Sequence, residues 1–188
     1  MTKTFTHVIG FDDAPYPPNH RGDVAVVGAA FAGARLEGVL IGKVRRDGVN
    51  ATHRLLQLVL QSRFAAHNQL IMLQGIAFAG FNVVDIHALS EASAMPVLVI
   101  ARKQPNLSKI KKALLGSVPG GVRKWRLIEK AGTMESVAGV YIQRAGLGSA
   151  SAQRVIMCFA VNSAIPEPLR TAHLIAGGIG GGASRQRV

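Results

Sequence analysis

His7-Val8-Ile9-Gly10-Phe11-Asp12-Asp13 reads as a short β-strand that halts on two carboxylates. The segment that follows, Ala14-Pro15-Tyr16-Pro17-Pro18-Asn19-His20, must be loop, because its prolines suit neither a helix interior nor a central strand. Residues 24–31 and 36–44 are apolar and β-branched and are joined by Ala32-Gly33-Ala34-Arg35, which predicts a hairpin. The sheet therefore opens with three antiparallel strands. Beyond Asp47-Gly48 the period changes. Leu55, Leu56, Val59 and Leu60 share one stripe of a helix over 52–64, and Leu70-Ile71-Met72-Leu73 is a buried strand ending at Gln74-Gly75.

Further on, the pattern predicts a helix over 85–92, a strand over 96–101 and a helix from the capping Ser108 to Leu115. A basic helix over 122–130, a strand over 140–143 and an apolar helix over 151–161 come next. Pro166-Glu167-Pro168 opens the last helix, where proline suits the first turn. Gly177-Gly178-Ile179-Gly180-Gly181-Gly182 and the basic end with Arg185 and Arg187 predict a flexible tail from about residue 177. Three antiparallel strands, then strands alternating with helices, predict an α/β fold with one mixed sheet, antiparallel first and parallel afterwards, covered by helices on both faces. No repeat or linker divides the 188 residues, so 1–188 reads as a single domain.

Composition narrows the function classes. No apolar run approaches the roughly 20 residues of a spanning helix, and the N-terminus lacks a secretory signal. No partnership with a membrane is expected. The single cysteine, Cys158, reads as inert helix core, and a reducing cytoplasm suits it. There are 22 Lys plus Arg against 10 Asp plus Glu, a formal net charge of +12, which favours a polyanionic partner. The positive charges come in groups: 43–46, Arg102-Lys103, 109–112, 123–126 and 185–187. Each group alone is ordinarily a solvated face; together they point to nucleic acid. Trp125, among Arg123, Lys124 and Arg126, is suited either to stacking on a base or to anchoring its helix in a core.

Asp12 and Asp13 end the first strand, Asp47 ends the third, and Asp85 opens a helix. Carboxylates converging on one rim of a sheet suit a hard divalent cation, and two such ions can clamp the attacking and leaving oxygens of phosphodiester cleavage. By spacing alone, turn capping by Asp12-Asp13 and an ordinary Asp47-Gly48 turn remain the commoner reading. No Gly-x-Ser-x-Gly elbow and no zinc-ligand spacing occurs.

Ile9-Gly10-Phe11-Asp12-Asp13-Ala14-Pro15, Asp47-Gly48-Val49-Asn50-Ala51-Thr52, Gly80-Phe81-Asn82-Val83-Val84-Asp85, Pro96-Val97-Leu98-Val99-Ile100-Ala101-Arg102-Lys103 and Pro166-Glu167-Pro168-Leu169-Arg170-Thr171-Ala172-His173 follow one another as in one family. In these segments the chain resembles the endonuclease dU family, which looks like a relative of endonuclease V. The resemblance implies a ribonuclease H-like fold and cleavage of nucleic acid beside deaminated bases such as deoxyuridine, a DNA-repair endodeoxyribonuclease using Mg2+ or Mn2+, with DNA the partner ahead of RNA. It makes Asp12 the first-strand metal ligand and aims His173 at the metal rim. A histidine on an apolar helix otherwise reads as a satisfied core group.

Where the resemblance expects Asp-Gly after the central strand, this chain has Gln74-Gly75. An amide offers one neutral oxygen and binds a hard cation far more weakly than a carboxylate. The expected set is thus Asp12, Asp47 and His173 for catalysis, and Asp12, Asp13, Gln74 and Asp85 around the metal. Arg102, Lys103, Asn82 and Arg170 are the expected contacts to substrate. Gln74 also supports an alternative: a nucleic-acid-binding protein that has kept the fold with impaired chemistry. A small-molecule role for the same rim is a third reading.

Overall fold

Both faces of the first strand are buried, which puts it in the middle of the sheet. The computed structural model describes residues 4–182. In it, β1 (His7–Asp13) turns Val8 towards one helical layer and Ile9 and Phe11 towards the other. β2 (Asp23–Ala32) and β3 (Arg35–Arg45) form the expected hairpin on one side of it, with both pairings antiparallel. α1 (Ala51–Leu60) follows, burying Leu55 and Val59, and ends short of the predicted 64. β4 (Leu70–Gln74) lies on the other side of β1 and parallel to it. A two-stranded ribbon, β5 (Ala77–Phe78) with β6 (Asn82–Val83), then precedes α2 (Ile86–Ser93); its strands are too short to leave a periodic signal. β7 (Val97–Ala101) is parallel to β4.

The expectation of parallel strands holds for β4 and β7 and fails after them. α3 (Leu107–Ser117), capped by Asn106 rather than Ser108, and α4 (Gly121–Lys130) pack on each other as a helical hairpin. Two helices in succession return the chain to the end of the sheet it left. β8 (Glu135–Val137) and β9 (Val140–Ala145) form a short hairpin there: β8 runs towards that end and β9 leaves it, with Tyr141 beside Ala101, so β9 runs antiparallel to β7. The sheet order is β3-β2-β1-β4-β7-β9-β8. The result is a mixed sheet with helices on both faces, as the pattern of elements predicts.

α5 (Ser149–Phe159) and α6 (Glu167–Gly181) cover the face that carries Val8, Met72, Leu98 and Ile100, while α1 and α2 cover the face of Ile9, Phe11, Leu73 and Val99. Cys158 is exposed, against expectation, because the inward stripe of α5 is Ala152, Val155, Ile156 and Phe159. The glycines from 177 are not a frayed tail. They continue α6 to Gly181, and Gly180 packs so closely on the proline loop that a Cβ there would stand 2.6 Å from the Pro15 carbonyl oxygen. Packing overrides the low helix propensity of glycine. Arg185 and Arg187 lie outside the described residues. Among those described, no helix is long and apolar enough to cross a membrane.

Gly10 fixes where α6 sits. A Cβ at this position would come within 2.6 Å of the Pro168 carbonyl carbon and 2.8 Å of the Leu169 nitrogen, backbone atoms that cannot turn aside. Gly10→Ala is expected to destabilise the protein by about 3 kcal/mol, the upper end for overpacking, and to lower the melting temperature in calorimetry. An unchanged melting temperature would mean that α6 can ride away from the strand without loss.

Candidate functional site

β1, β4 and β7 point their C-terminal ends at one rim of the sheet. Phe11 pairs with Leu73 and Gln74 with Ile100, so Asp12 and Gln74 end neighbouring strands at the same level. The two-residue period puts both on the face of Met72 and Ile100, beneath α5 and α6. With Leu169 held at Gly10, four residues of α6 advance roughly 6 Å while two residues of β1 advance roughly 6.6 Å. His173 thus arrives over Asp12, its Nδ1 2.7 Å from Oδ2. Asp12 is 5% exposed, and its Oδ1 accepts the Asp13 N–H at 2.9 Å.

Burial pushes the Asp12 carboxyl above the usual carboxylate range, and the His173 contact pulls against it. On the other side, the bond to Asp12 holds the His173 imidazole above its ordinary value, with burial opposing. Both groups are shifted towards keeping a proton, and the 2.7 Å contact couples their titrations.

Gln74 brings an unusual atom to this place. Its Oε1 is buried and has no hydrogen-bond partner. An unsatisfied buried acceptor costs about 1–3 kcal/mol, and a native fold rarely leaves one without a use. A cation beside the Asp12 carboxylate would supply what this oxygen lacks. Among the described residues, no three His, Cys, Asp or Glu side chains gather as a metal-ligating group. Asp12 with Gln74 is a sparse donor set, of the kind that suits an ion which keeps several of its waters.

Asp13 turns to the other face. Its Oδ2 accepts the Ala79 N–H at 2.7 Å, and burial, reinforced by the charge of Asp12, pushes its pKa up to about 6. Asp47 adopts a left-handed φ of 50° and clamps the same loop. Its N–H donates to the Ala79 carbonyl at 2.9 Å, and its Oδ1 accepts the Phe81 N–H at 2.8 Å. Gly80 has to be glycine here, since its φ is 83° and a Cβ would collide with Asp47 Oδ1. Arg46 Nε stands 3.4 Å from Asp47 Oδ2, and its guanidinium lies over the Tyr16 ring. Behind Asp47 is Lys124, 2% exposed, whose Nζ donates to the Asp47 carbonyl oxygen. Burial lowers the Lys124 pKa, and Asp47 partly restores it. The basic run around Lys124 masked this residue in the sequence. The signal was the inward stripe of α4, Gly121, Lys124 and Ile128.

The remaining expected residues go elsewhere. Asn82 is fully buried, and its amide is fully used: Oδ1 accepts from Ala51 N–H, while Nδ2 donates to the Arg45 carbonyl and to Asn50 Oδ1. It ties the Asp47 turn to β6 and cannot read a base. Asp85 caps α2 through the Ala88 N–H and pairs with Lys130 at 2.9 Å. Burial would raise its pKa, but those two partners outweigh it and hold it low. It is not gathered with Asp12. Arg170 donates Nε to both oxygens of Glu167 at 3.0 Å, in the first turn of α6. Arg102 and Lys103 are exposed immediately after β7, at the rim. Trp125 is half-buried between α3 and α4, with Lys111 over its ring and its Nε1 donating to Glu129, so it serves the core of the helical hairpin.

A family model described as Endonuclease dU matches residues 4–180. A UPF0215 protein of Deinococcus radiodurans is 57% identical over 184 residues, covering 97% of this chain and 94% of that one. A UPF0215 protein of Methanothermobacter thermautotrophicus is 43% identical, covering 97% and 92%. Among solved structures, a protein of unknown function from Archaeoglobus fulgidus superposes with a TM-score of 0.86 at 30% identity, covering 92% of this chain and 97% of that chain. Endonuclease V of Ciona intestinalis, crystallised with inosine-containing DNA, superposes with a TM-score of 0.56 at 14% identity, covering 89% and 83%. The last likeness shows a shared ribonuclease H-like fold.

Asp13 and His173 both bind a proton more tightly folded than unfolded. Their stabilisation is complete below their unfolded pKa values, about 3.8 for Asp13 and 6.5 for His173, and is lost as pH rises through the raised folded values. In chelator, the stability advantage of wild type over Asp13→Asn is expected to shrink between pH 4 and 6. The advantage over His173→Gln is expected to persist to higher pH and shrink above 6.5. Differential scanning fluorimetry across pH 4–9 reads both; advantages that grow with pH would refute the assignment.

Proposed function

The chain belongs to the endonuclease dU family, and from that premise we propose that it is a metal-dependent endonuclease that cuts DNA beside deaminated bases such as deoxyuridine. The observation that carries the proposal is the pairing of a buried, histidine-held carboxylate with an orphaned amide oxygen at one strand-end rim. Asp12 and Gln74 would hold Mg2+ or Mn2+. Bound there, the metal would neutralise charge on a phosphodiester and acidify a water. His173 orients the Asp12 carboxylate and keeps a proton at Nδ1, as partners behind a ligating carboxylate do. Asp13 and Asp47 hold the 79–81 loop at the edge of the rim, and Arg102 and Lys103 offer cations to a phosphate leaving or approaching it. The deaminated-base class is carried over from the family's description and from the inosine in the Ciona complex. DNA repair follows from that class of substrate, and a reducing cytoplasm, which suits a lone cysteine, is its proposed place.

Gln74 favours a second reading, in which nucleic acid is bound but not cut. Cleavage of a labelled deoxyuridine oligonucleotide in Mn2+ and Mg2+ decides between them. Wild type is expected to cleave, Asp12→Asn to lose about 100-fold or more, and His173→Ala about 10- to 100-fold. Gln74→Asp is expected to reach half-maximal rate at about tenfold lower metal. A silent wild type with an active Gln74→Asp would establish the binding reading, and silence from both would overturn the nuclease.

A further inference from the structure

The positive charge of this protein is concentrated in one element. Residues 102–130 hold nine of the 22 Lys and Arg and one of the ten Asp and Glu, so +8 of the net +12 lies in the β7–α3 turn and the α3–α4 hairpin. The apolar faces of the two helices are closed against each other and against β6, through Leu114, Ile128 and Val83 with Ile110, Trp125 and Leu127. What the hairpin turns outward is charge: Lys103, Lys109, Lys112, Arg123 and Arg126 are exposed, and among the described residues none of these five forms an ion pair. Unpaired cations at this density repel one another, and their packing onto one hairpin adds nothing to the stability of the fold.

The hairpin is also fixed to the rim at both ends. α3 follows the C-terminal end of β7 within a few residues, and α4 is pinned by the buried Lys124 to the carbonyl of Asp47, whose N–H and side chain clamp the 79–81 loop against Asp13. A polyanion lying on the hairpin is thereby held in a fixed relation to Asp12.

We propose that the α3–α4 hairpin is a docking arm for the sugar-phosphate backbone of nucleic acid, gripping the strand beside the rim through Lys109, Lys112, Arg123 and Arg126. The arm needs no metal. It shares a partner with the nuclease reading, but its four gripping residues have no part in that reading, and it works whether or not the rim cuts. The closed apolar faces favour nucleic acid over an acidic lipid surface, for which only the scattered Leu107, Leu115 and Val122 side chains remain exposed.

The test is fluorescence anisotropy with a 24-base-pair DNA duplex in chelator, across a salt series, so that cleavage plays no part. The variant Lys109→Gln/Lys112→Gln/Arg123→Gln/Arg126→Gln is compared with a control that removes as much charge elsewhere, Lys43→Gln/Arg54→Gln/Arg63→Gln/Arg154→Gln. The arm variant is expected to bind at least about tenfold more weakly at low salt. Its slope of log affinity against log salt should be shallower by about 3.6, since each of four lost duplex phosphate contacts removes about 0.9. The control should keep the slope of wild type. Equal losses in both variants would show that net charge alone does the binding, and wild-type affinity in the arm variant would refute the arm outright. Binding of wild type to phosphatidylserine vesicles but not to duplex would overturn the choice of partner. Binding through the arm with no cleavage by wild type in metal would remove the nuclease reading and leave the arm standing.

Discussion

The contact of the Gly10 backbone with the first turn of α6 is the constraint from which the site follows. With no side chain between them, the helix lies directly on the strand, and the advance of four helical residues then matches that of two strand residues. Asp12 and His173 meet because of that match, although 161 positions separate them in the chain. Gly180 repeats the device at the far end of the helix, against Pro15. Glycine costs α6 helix propensity at several positions. In return the helix is held close at both ends, and the histidine carried between them is positioned by packing rather than by a loop.

Adjacent residues of one strand take separate duties because a strand alternates its faces. Asp12 looks into the α5–α6 layer and meets His173, with Gln74 on the same face of the next strand. Asp13 looks the other way and holds Ala79. Their charges still reach each other, which is one reason the Asp13 pKa rises. The rim is therefore electrostatically crowded: two carboxylates stand side by side, one of them, Asp12, buried, and His173 contacts only that one. Asp47 and Lys124 extend this system by hydrogen bonds rather than by donating ligands. The left-handed turn at Asp47 lets one residue bind Ala79, Phe81 and Lys124 at once.

Much of this could be read from the sequence, for identifiable reasons. β-Branched runs and proline breaks locate the central strands, and the strand-end aspartates mark the rim. What escaped was set by distant packing. The reversal at β9 depends on its hairpin with β8, a strand too short to announce itself by alternation. Asn82 lies in a segment that resembles the family's, yet its amide is consumed by Ala51, Arg45 and Asn50. Asp85 sits at a position suited to a ligand and is taken by its own helix and Lys130. A residue type in a suggestive place reveals what chemistry is available to it; which neighbours use that chemistry first depends on the fold.

Gln74 brings these considerations together. An aspartate there would place another negative charge at the level of Asp12, in a site where burial already raises the carboxyl pKa. Without a cation, such a rim would be strained by repulsion and would take up protons to relieve it. A glutamine removes the repulsion and leaves instead one unsatisfied oxygen, a cost of about 1–3 kcal/mol. The exchange makes the protein easier to fold and would give a cation less charge to bind. It is the usual tension between a stable site and a reactive one, resolved at this position towards stability. The chain retains the buried carboxylate, the histidine that orients it and an oxygen with nothing to bond. Of these, the oxygen accepts no hydrogen bond within the fold, and that is the cost a neutral amide leaves where a second carboxylate would have brought repulsion.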